Sequence, residues 1–186
     1  MQHRCFWVTE STLYQEYHDN EWGTPVYDDA TLFEFLVLET FQAGVSWTTI
    51  LNKRENFRKA FDNFDYQKIA KYPESKFNEL MQDKGIMRNK LKIRSAITNA
   101  QLFMEIQNEF GSFSNFIWSY VNHKPIINQF KTRSDVPATT EISNQLSKDL
   151  KKRGFKFTGS TIMYAFMQAV GMVNDHTANC FKFSET

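Results

Sequence analysis

The stretch Leu150-Lys-Lys-Arg-Gly-Phe-Lys-Phe-Thr-Gly159 joins two segments of helical periodicity and decides the fold. Apolar residues spaced by four and ending at Leu150 predict a helix before it, and Gly154 is suited to end that helix in a left-handed conformation. Ser160 or Thr161 is expected to cap a second helix, which Gly171 closes. Its apolar stripe consists of Ile162, Ala165, Phe166, Ala169 and Val170. Residues 142–171 are therefore predicted to form a helix, a glycine-bounded turn and a second helix.

This turn has the features of a phosphate-binding site. Glycines let the backbone approach a ligand closely, and the second helix presents unpaired N–H groups at its positive end. Four cations surround the same spot, namely Lys151, Lys152, Arg153 and Lys156. One interpretation is sequence-independent binding to the backbone of DNA or RNA. The other is a helical hairpin whose cations only offset the helix dipole, and the residues alone leave both open.

Helical periodicity also dominates the rest of the chain, and no long alternating run predicts a sheet. Helices are expected after Asp28 and Asp29, after Gly44 and Ser46, between Pro73 and Gly85, from about Ile93 to Gly111, and in a short aromatic segment from Phe116 to Val121. Residues 125–139, which lie between two prolines, are expected to connect two lobes. The predicted fold is thus all-α, with residues 1–186 forming one unit of two helical lobes.

Composition limits the class of protein and its compartment. The 186 residues carry a net charge of +1, which divides into −7 for residues 1–50 and +8 for the remainder. Such a division is compatible with a basic face for phosphates, although an ordinary solvated surface explains it as well. No apolar run is long enough to span a membrane, and the first residues lack the pattern of a secretion signal. We therefore expect a cytoplasmic protein without membrane contact, and nothing indicates an obligate oligomer, so a monomer is expected.

The two cysteines lie at opposite ends of the chain, and each has a histidine nearby. Cys5 precedes His18 by 13 residues, whereas His176 and Cys180 are four apart, which on a helix places them on one face. Two thiolates and two imidazoles would hold Zn²⁺ in a closed tetrahedral structural site that ties the termini together. The alternatives are a disulfide or two unrelated buried thiols, and His3 is a competing ligand.

Glu39 occupies a position where the helical pattern calls for an apolar residue. Burial of an ionised carboxylate is costly unless the group is paired. Glu39 therefore either meets a cation or a helix end, or lines a pocket for a polar ligand. Five aromatic residues of the same acidic segment could form the walls of such a pocket, namely Trp7, Tyr14, Tyr17, Trp22 and Trp47. Stacking surfaces around a carboxylate suit a planar, hydrogen-bond-donating ring such as a cationic purine, whereas aromatic residues are also common in a plain core.

Several longer stretches carry a family resemblance. They are Tyr17-His-Asp-Asn-Glu-Trp-Gly23, Gln42-Ala-Gly-Val-Ser-Trp47, Asn52-Lys-Arg-Glu-Asn56, Trp118-Ser-Tyr-Val-Asn-His123, Leu150-Lys-Lys-Arg-Gly-Phe-Lys-Phe157 and Val173-Asn-Asp-His176. In this combination the sequence resembles the bacterial 3-methyladenine DNA glycosylase I family, which has the helix-hairpin-helix fold of base-excision enzymes. The resemblance covers the chain from Cys5 to Cys180.

The resemblance implies a role for each candidate residue. Expected zinc ligands are Cys5, His18, His176 and Cys180; expected pocket residues for the extruded base are Glu39, Tyr17 and Trp47, with Trp7, Tyr14 and Trp22 around them. Expected DNA contacts are the hairpin from Gly154 to Gly159 with Arg153, Lys156 and Ser160, and a wedge at Gly44 and Val45. The implied reaction removes 3-methyladenine from alkylated double-stranded DNA and leaves free base and an abasic site.

The sequence departs from the wider helix-hairpin-helix group at one point. That group usually has a catalytic aspartate in a Gly-Pro-Asp motif, whereas Gly171-Met-Val-Asn-Asp175 lacks the motif. A general base is therefore not identified. The lesion is already cationic and leaves as a neutral base, which explains why little acid catalysis is needed. A non-catalytic module that recognises alkylated DNA through the same pocket stays open as the alternative.

Overall fold

Helices make up most of the structure, a computed structural model that describes residues 3–184. The described part contains α1 (Thr12–Asn20), α2 (Asp29–Gln42), α3 (Trp47–Ala60), α4 (Tyr66–Ile69), α5 (Glu74–Gln82), α6 (Lys90–Phe110), α7 (Phe113–Ser119), α8 (Glu141–Arg153) and α9 (Ser160–Ala169). Short 3₁₀ turns lie at Asp62–Phe64, Arg133–Asp135 and Phe181–Ser184. The predicted all-α class is confirmed.

The second helix, α2, is the centre of the core. It packs against α3, α6, α7 and α9, and every residue from Phe35 to Phe41 is buried. A helix that is covered on all sides needs apolar residues around its whole circumference, which this segment has apart from Glu39 and Thr40. Asp28 caps the helix by accepting from the N–H of Thr31 at 2.8 Å. The position of Glu39 therefore puts its carboxyl group inside the protein.

A buried cation fixes α1 against this core. The guanidinium of Arg54, on α3, donates to Glu34 of α2 at 2.6 Å and to Glu21, just after α1, at 2.7 Å. Arg54 is only 8% exposed, so these charge-assisted hydrogen bonds are shielded from water. The ion pairs hold the end of α1, and with it Tyr17 and His18, close to α2 and α3.

The predicted helix, turn and helix is present as α8, residues 154–159 and α9. Gly154 has the left-handed φ of 103° that ends α8, as expected. The expected cap of α9 was wrong, because Gly159 occupies the cap position and no side chain caps the helix there. α9 ends at Ala169, two residues before Gly171. The first N–H groups of α9 consequently have no side-chain partner from the cap.

The connection after α7 returns to the end of the chain. A two-residue strand, β1 (Ile126–Ile127), pairs in parallel with β2 (Val173–Asn174), which follows α9. This short pairing brings residues 125–139 beside the segment that holds His176. The division into two lobes stays a prediction. No described helix is long and apolar enough to cross a membrane.

Candidate functional site

One cavity of about 200 Å³ brings the predicted pocket residues together. All six of them line it: Trp7, Tyr14, Tyr17, Trp22, Glu39 and Trp47. Six further lining residues were missed from sequence: Phe6, Gln42, Val136, Ala165, Gln168 and Asp175. An apolar cavity of about 150 Å³ admits benzene, so the observed volume is sufficient for a planar heterocycle.

Aromatic side chains form rigid walls around this cavity. The rings of Tyr17 and Trp47 lie 5.3 Å apart at an angle of 47°. Trp7 meets Trp22 at 4.9 Å and Tyr14 at 5.4 Å, in both cases edge to face. Because each ring is held by another ring, little side-chain freedom remains to be lost when a ligand enters.

Glu39 provides the only carboxyl group of the pocket that lacks a full set of partners in the described residues. It is 3% exposed, and its Oε2 atom has no hydrogen-bond partner there. Burial raises the pKa of Glu39 to about 8, because nothing nearby compensates for the lost hydration of the carboxylate. The interpretation in which Glu39 meets a cation is therefore not what the structure shows.

Two hydrogen-bond donors of the pocket are also unused within residues 3–184. The indole N–H groups of Trp7 and Trp47 are buried and have no acceptor. Buried polar groups without partners are uncommon in folded proteins and often indicate a missing ligand or water. The pocket thus has one free acceptor and two free donors, which suits a ring that carries both donors and acceptors.

Asp175, which sequence analysis left without a role, also lines the cavity. In contrast to Glu39, its carboxylate accepts hydrogen bonds from Tyr164 at 2.6 Å, Gln168 at 2.8 Å and Asn128 at 2.7 Å. Three donors leave this group with little remaining capacity as an acceptor. Sequence analysis noted Asp175 only because the Gly-Pro-Asp motif is missing there, and its place in the pocket was not predictable because two of the donors come from α9 and the third from beyond β1.

The four predicted metal ligands meet in one buried cluster. Their ligand atoms all lie within 4.8 Å of one another. Cys5 Sγ is 3.5 Å from His176 Nδ1, and Cys180 Sγ is 3.4 Å from His18 Nε2. Metal–ligand bonds of about 2.0–2.3 Å in a tetrahedron place neighbouring ligand atoms roughly 3.3–3.8 Å apart. These two cysteine–histidine separations fall in this range, so the donor set fits a tetrahedral ion after a small contraction of its longer separations.

The surroundings of the two imidazoles support the same conclusion. The second nitrogen of His18 lies 2.8 Å from a carboxylate oxygen of Asp19, and that of His176 lies 3.0 Å from the carbonyl oxygen of Trp22. Such partners orient metal-bound histidines in known sites. Burial lowers the pKa of His176 to about 4 and raises that of Cys5 to about 12. Burial also lowers the pKa of His18, so both imidazoles are neutral, as ligation requires, and a bound cation would favour the thiolate of Cys5.

Two expectations about this cluster need correction. His176 and Cys180 do not share a helix, because the residues between them form a turn in which the N–H of Cys180 donates to Thr177 at 2.7 Å. The disulfide alternative is also not observed, since both cysteines are free thiols. His3, the competing ligand, is exposed and contacts Asn179 instead.

The metal cluster and the pocket share a wall. Trp22 packs edge to face on the ring of His176 at 4.8 Å, and Trp7 packs in the same way on His18 at 5.3 Å. Both tryptophans also line the cavity. The conformation of the pocket wall therefore depends directly on the ordering of the two histidines.

Some of the side chains predicted to contact phosphates at the hairpin are exposed, whereas others already make hydrogen bonds within the protein. Lys151, Lys152 and Lys156 are exposed. Arg153 instead makes two hydrogen bonds to Glu109, at 2.6 and 2.9 Å. The hydroxyl of Ser160 donates to Asn144 at 2.5 Å.

The turn between α2 and α3 projects from the surface beside the pocket. Gly44 is exposed with a φ of 82°, and a Cβ atom added there would meet nothing within 4 Å. Positive φ favours glycine, and open space lets this backbone approach another molecule. Val45 is partly buried, and Trp47 begins the next helix and lines the pocket.

The helical scaffold thus carries a glycine-bounded hairpin and a pocket of aromatic side chains around one carboxyl group, with room for a planar heterocycle. The model of the methyladenine glycosylase family matches residues 7–183. DNA-3-methyladenine glycosylase 1 of Escherichia coli K12 is 50% identical over 177 residues, which is 95% of each chain. A crystal structure of 3-methyladenine DNA glycosylase I superposes with a TM-score of 0.94 at 47% identity, covering 96% of this chain and 98% of that one. Another, of a variant in complex with 3-methyladenine, has a TM-score of 0.93 at 38% identity, with 96% of both chains covered. The chain belongs to the methyladenine glycosylase family.

Proposed function

We propose that this protein is a DNA glycosylase that flips 3-methyladenine out of alkylated duplex DNA and hydrolyses its N-glycosidic bond. The observation that carries the proposal is the unpartnered carboxyl group of Glu39 between aromatic walls. A relative of the same fold is known in complex with 3-methyladenine, and a curated relative is a DNA-3-methyladenine glycosylase. These likenesses support the same substrate for this chain.

In the proposed mechanism, Glu39 recognises the cationic base and holds it in the extruded position. The extruded ring packs against the aromatic walls formed by Tyr17 and Trp47, and its amino edge donates to Glu39. Methylation at N3 makes the nucleotide cationic, so the N9–C1′ electron pair moves to N9 and the base leaves neutral. Water adds to C1′ of the sugar cation and loses a proton to solvent. The products are free 3-methyladenine and an abasic site.

The same proposal assigns DNA contacts to the surface around the pocket. The α9 N-terminus and the exposed lysines of the hairpin, Lys151, Lys152 and Lys156, bind phosphates without reading sequence. Gly44 and Val45 enter the stack where the flipped nucleotide was. Arg153 and Ser160 support the hairpin through their contacts with Glu109 and Asn144 rather than through free side chains. Because a single chain supplies both the pocket and the surface proposed to contact DNA, we propose that it acts as a monomer. We also propose that it acts in the cytoplasm.

For the four-ligand cluster we propose structural Zn²⁺. Two thiolates with two imidazoles are a preferred donor set for zinc, and four protein ligands leave no open position for water or substrate. Zinc at this site would join the segment before α1 to the segment after β2. Zinc at this site would act as a structural cross-link and would take no part in the excision reaction.

Incubation with methylated DNA tests the proposed activity directly. We expect the protein to release 3-methyladenine, identified by chromatography of the ethanol-soluble fraction, while the DNA gains alkali-labile sites. The rival hypothesis, a non-catalytic module for alkylated DNA, predicts retention of such DNA with no free base. Binding to methylated duplex without release would therefore favour the rival.

Lys156→Ala tests the hairpin. Because Lys156 is exposed and forms no salt bridge with any residue from 3 to 184, its loss should weaken binding to all duplexes equally. The slope of log affinity against log salt should become shallower by about 1. Lys68→Ala is the control, since that side chain is 64% exposed on α4, pairs with Asp65 at 3.8 Å and is not part of the hairpin, so the slope should stay unchanged. Identical slopes for Lys156→Ala and the wild type would remove the hairpin from the phosphate contact.

A further inference from the structure

One face of α6 holds the turn after α2 through a buried lysine. The ammonium group of Lys92 donates to the carbonyl oxygen of Phe41 at 2.8 Å and to that of Ala43. Carbonyl groups at the end of a helix have no partner within the helix, and they lie at its negative end. Lys92 is 7% exposed, and burial lowers its pKa because it disfavours the charged ammonium. The hydrogen bonds to the two carbonyl groups offset part of this loss of hydration. The residue caps α2 immediately before Gly44.

The same helix holds the hairpin through a buried amide. The side chain of Asn99 donates to the carbonyl oxygen of Lys156 at 3.0 Å and accepts from the N–H of Lys156 at 2.9 Å. Asn99 is 2% exposed. These two hydrogen bonds hold the peptide groups on both sides of Lys156 and so fix the position and orientation of its backbone. The side chain of Lys156 therefore extends from a backbone whose position is fixed.

These two anchors are in register on α6. Lys92 and Asn99 are seven residues apart, which is two turns of one helix, so they lie on the same face about 10 Å apart. Neither anchor touches the pocket, and the established chemistry of base recognition does not require them. Their common feature is that each fixes one of the two surface elements proposed to contact DNA.

We propose that Lys92 and Asn99 are positioning residues that make α6 a rigid spacer between the Gly44–Val45 turn and the hairpin. The inference rests on the proposed function. Because both anchors lie on one helix about 10 Å apart, they fix the separation between the turn and the hairpin. The spacer lets the turn fill the gap left by the flipped nucleotide while the hairpin holds a phosphate a few steps away. Extrusion depends on both contacts being made at once.

Lys92→Met and Asn99→Leu test the spacer in single-turnover excision from a duplex with one 3-methyladenine. At saturating enzyme we expect each excision rate to fall by roughly 10- to 100-fold, because a displacement of about 1 Å has an effect of that size. Affinity for free 3-methyladenine should stay within about two-fold, since the pocket is intact. Fluorescence of 2-aminopurine placed beside the lesion should show less extrusion.

Matched variants separate positioning from charge and from folding. Lys90→Met removes the same charge from the exposed first residue of α6 and should change only the salt dependence of binding. Lys92→Arg should restore most of the rate, because a guanidinium also donates to two carbonyl groups. If Lys92→Met or Asn99→Leu does not fold, Lys92→Gln and Asn99→Asp are the milder replacements.

Wild-type excision rates in folded Lys92 and Asn99 variants would overturn the proposal. Equal losses of excision and free-base binding would also overturn it, because they would assign both residues to stability alone. Failure of the wild type to release any base is a different result, which contradicts the proposed function before the spacer is tested.

Discussion

Replacement of Glu39 by glutamine is expected to reduce 3-methyladenine excision by roughly 10²- to 10³-fold, the usual effect of removing one preorganised electrostatic contact from a reaction. The amide keeps the size of the side chain but removes the charge that faces the cationic nucleotide. Affinity for undamaged duplex should stay within about two-fold, because the hairpin and its lysines are unchanged. The expected loss is therefore in the chemical step and not in general DNA binding.

The same replacement should stabilise the protein, and the gain should depend on pH. Burial raises the pKa of Glu39 from 4.5 to about 8, so the folded state binds a proton that the unfolded state has lost between these values. Stability of the wild type therefore falls as pH rises from about 4.5 to 8 and levels off above 8. The free energy of unfolding of Glu39→Gln should exceed that of the wild type by on the order of 1–3 kcal/mol at pH 8.5 and by almost nothing at pH 5.

The excision rate of the wild type should rise with pH over the same interval, because the carboxylate is the form that attracts a cation. A bound cation also lowers the pKa of Glu39, so the midpoint of the rate profile should fall below 8. The other titratable groups of the pocket are Tyr14, Tyr17 and Asp175. Burial raises the pKa of both tyrosines, so they stay neutral here, and Asp175 is already held by three donors.

Glu34→Gln is the matched control for both effects. Glu34 lies on the same helix, but its carboxylate is paired with Arg54 and Arg58. We therefore expect this variant to lose stability while it keeps excision in its folded fraction, because Arg54 still holds the end of α1 through Glu21. Thermal unfolding at pH 5, 7 and 8.5 and single-turnover rates measure all of these changes. Full activity of Glu39→Gln, or a stability change that is the same at each pH, would contradict the assigned role.

Removal of the metal should have the largest effect on stability. Structural zinc sites contribute binding free energy directly to folding, and its loss should destabilise the chain by about 5 kcal/mol or more. For a protein of this size that corresponds to a decrease in Tm of roughly 10–20 °C. Affinity for free 3-methyladenine should fall at the same time, because Trp7 and Trp22 pack on the ligand imidazoles. Tryptophan fluorescence should shift to the red as these rings meet water.

Elemental analysis, thermal unfolding and fluorescence titration with the free base measure these effects for chelated protein and for Cys180→Ser. One zinc per chain is expected in the wild type and none in Cys180→Ser. His3→Ala is the control, since His3 lies outside the cluster and should not change the zinc content. A Cys180→Ser protein that retained both its Tm and its zinc would show that the cluster is not the metal site.

Local patterns were sufficient for much of the helical framework. Apolar spacing predicted the helices that became α2, α3, α5, α6, α8 and α9, because their buried stripes recur every three or four residues. It failed for α1, a polar segment with no side-chain cap, which is held by Tyr17 and by the ion pairs of Arg54. A helix stabilised mainly by tertiary contacts leaves little periodic signal in the sequence.

Candidate sites divide in the same way. Residue types with few structural uses, such as paired cysteine and histidine or an acid in an apolar pattern, indicated both the metal cluster and Glu39 before any contact was known. For side chains with many uses, the sequence did not distinguish a binding role from a structural one. Arg153 was grouped with the phosphate-binding cations but is paired with Glu109. No sequence pattern indicated the roles of Lys92 and Asn99. Whether a cation is free or committed depends on residues far away along the chain.

Sequence patterns predicted the helical class and a carboxylate among aromatic residues, and the family resemblance assigned the four metal-ligand candidates to zinc and added the roles of the pocket residues, because all of these depend on residue types and their order along the chain. Only the tertiary structure decided that Glu39 has an unpartnered oxygen, that Asp175 joins the pocket and that α6 links the turn to the hairpin. Those features depend on long-range packing. Hydrogen-bond satisfaction and burial are properties of the assembled interior, and no local pattern contains them.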